Sequence, residues 1–293
     1  MQRLLDYFSD GIVTRPAGLI GMEVETSFVD QAGEAISFAQ SQRMLEGLAS
    51  GSRWQSSATK GTAITELCNS HGDVIRYELG RQNIEVSTAP QMPEVITRHA
   101  QLVLEQLYDV ADYVGVFPCF APILHCDGNL LAVPDERDAN WIKLDGVQAL
   151  NALANTSSVH FVLDVAPEQA IKALNSLNGR TVEFLHDFPQ DANWRYYIAN
   201  SLARYENNRY GGPFLFESLV DYCRQLSQYK VVQPGGLTPF AAVAVDVPLF
   251  LRSVWWHFRL RRYGDVLCVE ARPNARHGDT SFAAQLETVL QSF

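Results

Sequence analysis

The chain has 293 residues, and 23 Lys+Arg against 33 Asp+Glu give it a formal net charge of −10. Hydrophobic residues make up 47% and charged residues 19% of the chain, an ordinary balance for a globular protein. The acidic balance argues against a protein that binds nucleic-acid phosphates, since such a protein needs a basic face. No apolar run reaches the length of about 18 residues that a membrane span requires, and residues 1–10 lack the features of a signal peptide.

The five cysteines are odd in number and form no CxxC pair, which argues against a secreted disulfide scaffold. Cys119, His125 and Cys126 lie close together in the sequence. They lack the second ligand pair of a zinc site, so structural thiols are the favoured interpretation. We therefore expect a cytoplasmic protein with reduced cysteines and with no nucleic-acid or membrane partner.

Alternating apolar and polar residues predict strands, and helical spacing of apolar residues predicts helices between them. The predicted strands cover residues 19–29, 63–68, 74–79, 83–88, 157–165 and 265–272. The predicted helices cover residues 93–114, 167–177, 194–205, 214–226 and 281–290. Residues 117–138 combine prolines and a turn-like Asp127-Gly128-Asn129 with apolar residues, which predicts an ordered loop. One α+β domain over residues 1–293 is expected, with helices on one face of a largely antiparallel sheet.

The predicted strands have an apolar face and a polar face, because residues two apart point to the same side of a strand. The polar faces carry acidic, imidazole and guanidinium groups without any lysine: Glu23, Glu25, Arg76, Glu78, Glu85, His160, Glu270 and Arg272. For any single strand, a polar face that serves solubility alone is the simpler explanation. Glutamates gathered on one face repel each other, however, so the whole set favours a bound cation. Oxygen ligands with an imidazole suit Mg²⁺ or Mn²⁺.

Glu23 and Glu25 share one face of one strand, so each could reach a different ion of a two-metal site. Such ions bridge nucleotide phosphates and neutralise the charge that develops in phosphoryl transfer. Arg272 would point toward the same phosphates. The chain has no P-loop and no GxGxxG turn, and its Gly211-Gly212-Pro213 and Pro234-Gly235-Gly236 stretches are interpreted as plain turns.

Four segments in this order resemble the type 2 glutamate–cysteine ligases and bacterial carboxylate–amine ligases of the glutamine synthetase superfamily. They are GMEVETSFVD (21–30), YELGRQNIEVSTAP (77–90), SSVHFVLDV (157–165) and VEARPNARHGD (269–279). The resemblance implies a glutamine synthetase-like catalytic domain, whose antiparallel sheet bends into a half-barrel. Helices would pack on the convex face, and ATP with two or three divalent ions would lie on the concave face.

The same resemblance implies roles for individual residues. Two ions would share six ligands, namely Glu25, Glu78 and Glu85 for one ion and Glu23, His160 and Glu270 for the other. Arg272 and Glu85 would act in catalysis, and Arg272, Arg259 and Arg76 would contact the nucleotide. The implied cofactors are ATP and Mg²⁺ or Mn²⁺.

The implied reaction joins two small molecules, an amino acid and an amine. ATP phosphorylates a carboxylate, typically the γ-carboxylate of glutamate, and an amine such as cysteine then attacks the acyl phosphate to form an amide. The candidates for gripping a substrate carboxylate are five arginines, mostly from the poorly matching middle of the chain: Arg195, Arg204, Arg209, Arg252 and Arg259. Relatives often oligomerise, so a homo-oligomer is an expectation as well.

Two other functions stay open on the sequence alone. One is a kinase that transfers phosphate to a guanidino or carboxylate group and needs no amine. The other is a non-catalytic protein on the ligase scaffold that binds a nucleotide or an amino acid and releases no ADP.

Overall fold

The computed structural model describes residues 1–15, 18–126, 130–131, 136–213, 215–233 and 235–293. The strands are β1 (Ile20–Val29), β2 (Trp54–Lys60), β3 (Ala63–Asn69), β4 (Val74–Tyr77), β5 (Asn83–Ser87), β6 (Phe117–Cys119), β7 (Ser158–Asp164), β8 (Tyr210–Gly211), β9 (Lys230–Gln233), β10 (Gly236–Pro239), β11 (Trp255–Trp256), β12 (Phe258–Tyr263) and β13 (Val266–Ala275). The helices are α1 (Gln2–Ser9), α2 (Phe38–Ser50), α3 (Pro93–Val114), α4 (Glu136–Asp145), α5 (Val147–Ala154), α6 (Ala170–Gly179), α7 (Thr181–Leu185), α8 (Gln190–Asn200), α9 (Leu219–Leu226), α10 (Val247–Leu251) and α11 (Phe282–Ser292).

One large sheet organises the chain. Its order is β12-β13-β7-β1-β5-β4-β3-β2, and β6 also pairs with β1. All neighbouring strands run antiparallel, which confirms the predicted antiparallel sheet. The sheet is open, with β12 and β2 at its edges. The half-barrel curvature stays a prediction.

Local sequence signals explain where the two longest helices begin and end. Ser37 and Gln40 form a capping box at the start of α2, in which each side chain accepts a hydrogen bond from the other residue's backbone N–H. Pro93 occupies the first turn of α3, where a missing N–H costs nothing. Gly115 ends α3 with φ of +78°, a left-handed conformation that glycine adopts without strain.

The apolar face of the sheet is buried under helices. Helices α2, α3 and α6 contact the strands, and α11 packs against α3 and α6. Val24, Ile84 and Phe161 come from three adjacent strands and are fully buried in this main core. Alternation of side chains along the strands therefore correctly predicts which residues face the helices.

A second apolar cluster lies apart from the main core. Leu150 and Leu153 of α5 and Tyr197 of α8 belong to it, and the two helices pack on each other. Leu153 and Trp194 of these helices line a cavity together with residues of the polar strand face. Helices therefore lie on both sides of the sheet, whereas the sequence predicted them on one side. A strand pattern shows that a face is polar but does not show what covers that face.

Every predicted strand and helix overlaps an element of the structure, but some bounds shift. The helix predicted at 194–205 is α8, which begins at Gln190 and ends at Asn200, because Ser201 adopts an extended ψ of 132°. The loop predicted at 117–138 contains β6 and the start of α4. Its predicted turn at 127–129 lies outside the described residues, as do Phe214 and Pro234 of two other predicted segments. Within the described ranges, no helix is both long and apolar enough to cross a membrane.

We expect Phe161→Ala to lower the free energy of unfolding by about 3–5 kcal/mol, because it leaves a cavity in the main core. The control is Tyr113→Ala on α3, where the side chain is 91% exposed and the change should stay within about 0.5 kcal/mol. Urea unfolding at neutral pH measures both values. Equal losses in the two variants would contradict the assignment of Phe161 to the core.

Candidate active site

The middle strand of the sheet, β1, carries Glu23 and Glu25 on its polar face. Glu23 lies opposite His160 of β7, and Glu25 lies opposite Glu85 of β5. Directly opposed residues of antiparallel strands have Cβ atoms about 4.5–5.5 Å apart. Three strands therefore bring carboxylates and an imidazole together, as the sequence predicted.

His160 links the two glutamates of β1. Its Nδ1 lies 3.1 Å from Oε2 of Glu23, and its Nε2 lies 3.9 Å from Oε1 of Glu25. Burial raises the pKa of Glu23, but the contact with His160 outweighs it and holds that pKa below its usual value. Glu25 also accepts a hydrogen bond of 2.8 Å from the backbone N–H of Ser158.

Glu25 lies in the most unfavourable electrostatic position of the site. It is 8% exposed, and burial raises its pKa well above the usual value. The negative charges of Glu78 and Glu85 raise the pKa further, while the hydrogen bond from Ser158 and the charge of Arg272 lower it. A cation next to Glu25 would counteract the burial and both repulsions.

Glu78 lies at the end of a strand rather than on it. The prediction of a strand over residues 74–79 was too long, because β4 ends at Tyr77. The backbone then turns toward β5: the N–H of Glu78 donates to the carbonyl of Asn83, and Gly80 has φ of +101°. Glu78 nevertheless lines the same cavity as Glu25.

Glu85 is paired with an arginine of the neighbouring strand. Its Oε1 accepts hydrogen bonds from Nε and Nη2 of Arg76 at 3.0 and 2.6 Å, and from Oγ of Ser87 at 2.6 Å. The charge of Glu85 raises the pKa of Arg76, so the guanidinium stays protonated. Arg76, predicted to contact the nucleotide, thus neutralises a predicted metal ligand.

Glu270 of β13 is surrounded by three arginines and is 1% exposed. Nε of Arg259 donates to its Oε2, and Nη1 of Arg272 lies 3.5 Å from the same oxygen. Nε of Arg261 lies 3.6 Å from its Oε1. Burial raises the pKa of Glu270, but the three guanidinium groups outweigh burial and hold that pKa well below its usual value.

The guanidinium groups of Arg259 and Arg272 differ in burial and in position relative to the cavity. Arg259 is buried, and its Nη1 donates to the carbonyls of Leu251 and Val254. Burial lowers the pKa of Arg259 to about 10. Arg259 is therefore a buried partner of Glu270, and its predicted contact with the nucleotide stays a prediction. Arg272 lines the cavity at the polar face.

That cavity has a volume of about 70 Å³. Its polar walls include Glu25, Glu78, His160 and Arg272, all of which the sequence predicted as site residues. Most of its apolar walls belong to or pack against the second cluster, namely Leu79, Leu153, Trp194, Tyr210 and Trp255, while Trp256 comes from the main core and Phe188 completes the wall. The predicted site thus borders a cavity that an apolar cluster partly covers.

The donor chemistry of Glu25, Glu78 and Glu85 fits a hard divalent cation, because three carboxylates act on one another there. In the second predicted ligand set, Glu270 is already paired with Arg259. Across the described parts of the chain, no three or more His, Cys, Asp or Glu side chains are arranged as a metal site. Metal binding at either set stays a prediction.

The sequence analysis missed a buried histidine in the cavity wall. His257 lines the cavity and is 3% exposed. Its Nε2 lies 3.5 Å from Oδ1 of Asp191, and neither ring nitrogen has a hydrogen-bond partner. Asp191 accepts a hydrogen bond of 2.8 Å from Tyr210. Recognising residues 258–263 as a strand would have placed His257 on the same face as Arg259.

Two glycines allow the aromatic segments beside His257 to approach closely. Gly211 and Gly212 have φ of +80° and +84°. A Cβ atom at Gly212 would lie 2.6 Å from the ring of Trp256. Tyr210 and Gly211 form β8, which pairs in parallel with β11. The stretch predicted as a plain turn therefore begins as a short strand next to the cavity.

The arginines predicted to grip a substrate carboxylate lie in different surroundings. Arg209 is fully buried, and Arg195 pairs with Asp191. Arg204 is exposed. Arg252 lines a second, larger pocket that adjoins the cavity.

No protein-family profile matches the chain, and no curated protein matches it significantly. Its fold resembles that of a bifunctional glutathione synthetase from Pasteurella multocida, with a TM-score of 0.50 and 11% sequence identity, covering 88% of this chain and 35% of that one. A glutamine synthase homolog gives a TM-score of 0.42 and 14% identity, over 94% of this chain and 54% of that one. GmaS without ligand gives a TM-score of 0.41 and 12% identity, over 99% of this chain and 56% of that one. The chain thus spans about a third of the length of the synthetase whose fold it shares.

In protein free of divalent ions, we expect Glu25→Gln to raise the free energy of unfolding at pH 8. The raised pKa means that the folded state holds a proton which the unfolded state releases above pH 4.5. Glu25 therefore destabilises the fold increasingly as the pH rises, and the gain from Gln should grow from pH 4.5 to pH 8. Urea unfolding with EDTA across this range measures the gain. A loss of stability at every pH would contradict the assigned pKa shift.

Glu270→Gln is the matched control, for which we expect the free energy of unfolding to fall rather than rise. Its lowered pKa means that Glu270 contributes stability above pH 4.5 and loses it only as the pH falls below that value. The substitution also leaves Arg259 buried without its carboxylate partner, so we expect a loss of about 3–5 kcal/mol at neutral pH. The same titration should show a deficit that is nearly constant from pH 5 to pH 8.

Proposed function

We propose that this chain is an ATP-dependent carboxylate–amine ligase, with a single catalytic domain. The observation that carries the proposal is the gathering of carboxylates, His160 and Arg272 on one covered face of an antiparallel sheet. These charges interact, since the negative charges of Glu78 and Glu85 raise the pKa of Glu25. The fold shared with a glutathione synthetase supports a ligase scaffold.

In this proposal, ATP binds on the polar face with Mg²⁺ or Mn²⁺. One ion would be held by Glu25, Glu78 and Glu85, and the other by Glu23, His160 and Glu270. When bound, such ions neutralise the charge of the phosphoryl group during transfer. Arg272 would hold the transferring phosphate, while Arg76 and Arg259 would hold the side chains of Glu85 and Glu270 in place.

The proposed reaction has two balanced steps. A carboxylate oxygen of the first substrate attacks the γ-phosphorus of ATP, and the bond to ADP breaks, so that an acyl phosphate and ADP form. The amine nitrogen then attacks the acyl carbon, the carbon–oxygen bond to phosphate breaks, and phosphate leaves as the amide forms. The nitrogen must lose a proton, and the unprotonated ring nitrogen of His257 in the cavity wall would accept it.

The proposed substrates are those implied by the resemblance to type 2 glutamate–cysteine ligases. The first is an amino acid that is phosphorylated on a side-chain carboxylate, with the γ-carboxylate of glutamate as the leading candidate. The second is an amine such as cysteine. Arg272 is the arginine in the cavity wall, so it would face both the phosphate and the carboxylate.

A second candidate function is a protein on the same scaffold that binds a nucleotide or an amino acid without turnover. The observation that favours it is that arginines already neutralise two of the predicted metal ligands. Glu85 is paired with Arg76, and Glu270 is paired with Arg259. Such a protein would bind ATP and release no ADP.

The first experiment follows ADP release from ATP and Mg²⁺, with L-glutamate and other amino acids, each with and without a panel of amines. We expect ADP release that depends on both an amino acid and an amine, because the acyl phosphate persists until an amine attacks it. ATP binding without ADP release under every combination would favour the binding protein. A phosphorylated product that forms without any amine would instead indicate a kinase.

Within the ligase, we expect Glu25→Gln and Glu85→Gln each to lower the turnover rate by more than about 100-fold, since each removes charge that the transition state requires. Circular dichroism should show that both variants fold. Glu105→Gln is the control, because this glutamate pairs with Arg98 on the exposed side of α3. Wild-type turnover in both site variants would overturn the proposed chemistry.

A further inference from the structure

A pocket of about 500 Å³ adjoins the small cavity at the polar face. Its walls come from α4, α5, α8, β9, β11 and the segment around α10. The volume lies in the range of about 300–1,000 Å³ that is typical of pockets for drug-sized ligands. It is far more than the side chain of cysteine requires.

The walls of this pocket are mainly aromatic and aliphatic. Trp255 lines the pocket, and its ring centroid lies 5.6 Å from that of Trp141 and 5.6 Å from that of Trp194. Leu144 and Leu150 complete the adjacent wall. Most of these residues belong to or pack against the second apolar cluster, so the pocket is an opening within an ordered apolar layer. Such walls bind apolar groups through the area removed from water.

The pocket and the small cavity share a wall. Five residues line both, namely Glu78, Leu79, Leu153, Trp194 and Trp255. Beyond these shared walls lie Glu25, His160 and Arg272. A molecule whose body fills the pocket would therefore lie next to the proposed reaction centre.

The groups at that end suit a head that forms hydrogen bonds. His257 lies in the cavity wall, where its Nε2 lies 3.5 Å from Asp191 and its buried Nδ1 has no hydrogen-bond partner, although buried polar atoms are normally hydrogen-bonded. The walls of the pocket and the small cavity carry three acidic residues, Glu25, Glu78 and Asp246, against two arginines, Arg252 and Arg272. This balance favours a cationic ammonium over a carboxylate as the head of the bound molecule.

We propose that the pocket binds the amine substrate, and that this amine carries a large apolar body, aromatic or alkyl, with its nitrogen directed toward His257 and Glu78. The inference rests on the proposed function in one respect, that the bound molecule is the amine of the ligase. It replaces cysteine by a bulkier and more apolar class of acceptor. The free energy of burying the body, rather than specific polar contacts, provides most of the affinity.

Calorimetric titration without ATP tests the binding directly. The probes are ethylamine, butylamine, hexylamine, octylamine and phenethylamine, with cysteine as the small polar comparison. We expect affinity to rise about fourfold for each added methylene until the pocket is filled, as the burial of one methylene group predicts. Phenethylamine should bind more tightly than ethylamine, and cysteine should bind weakly. Equal affinity along the alkyl series, or no binding of any amine, would overturn the proposal.

Two variants locate the binding. Leu144→Trp fills the pocket from α4, and Leu249→Arg places a cation at its exposed rim, where Leu249 is 61% exposed and a folding defect is not expected. Each variant should lower the affinity for octylamine by at least tenfold. Val182→Trp, at an exposed position on α7 outside the pocket walls, is the control and should leave the affinity unchanged.

Titration with ADP separates this inference from the proposed function. We expect ADP affinity to stay the same in both pocket variants. A loss of ADP affinity with unchanged amine affinity would place the adenine in the pocket and overturn the inference. Apolar amines that bind in the pocket of a protein without ATP turnover would contradict the ligase while leaving the pocket assignment intact. Turnover with cysteine but not with apolar amines would contradict the inference while leaving the ligase intact.

Discussion

The burial of mutually repelling carboxylates on one sheet face is the constraint on which the rest of this structure depends. Glu25 is the clearest case, because burial and two neighbouring glutamates all raise its pKa. A buried charge without a partner costs several kcal/mol, so each carboxylate needs compensation. His160 provides it for Glu23, Arg76 for Glu85, and three arginines for Glu270. The buried apolar face of the sheet stabilises the fold enough to offset the free-energy cost of these carboxylates. That cost is largest around Glu25, where a bound cation would reduce it.

The positions of the arginines that pair with these carboxylates divide the site into differently charged parts. Arginines lie toward the two flanks of the sheet, on β4 next to Glu85 and on β12 next to Glu270. The middle of the sheet, around Glu25, keeps the excess of negative charge. The second apolar cluster closes over this middle from α5 and α8 and leaves both a small polar cavity and a large apolar pocket. The polar cavity thus offers charged side chains to a ligand, and the larger pocket offers apolar walls.

Much of the sheet and part of the site could be predicted from the sequence. The pairs Glu23 with His160 and Glu25 with Glu85 follow from alternation, and both face each other across neighbouring strands. Glu78 was misplaced on a strand, because periodicity does not show where Gly80 forces the chain to turn. Residues 258–263 were not recognised as a strand, although Phe258 and Leu260 alternate with Arg259 and Arg261, and so His257 was not placed on the polar face.

The sequence by itself determined which residues are apolar and which are charged along each strand, and therefore the two faces of the sheet and the candidate ligands on one of them. That information is local, since it depends only on the period of the strand. Only the tertiary structure decided which charges are paired, because Arg259 and Glu270 meet through strand register and burial. It also decided what covers the polar face, because the walls of the apolar pocket come from segments far apart in the chain, from Leu79 to Trp255. Contacts of that kind depend on packing in space, which residue order along the chain does not specify.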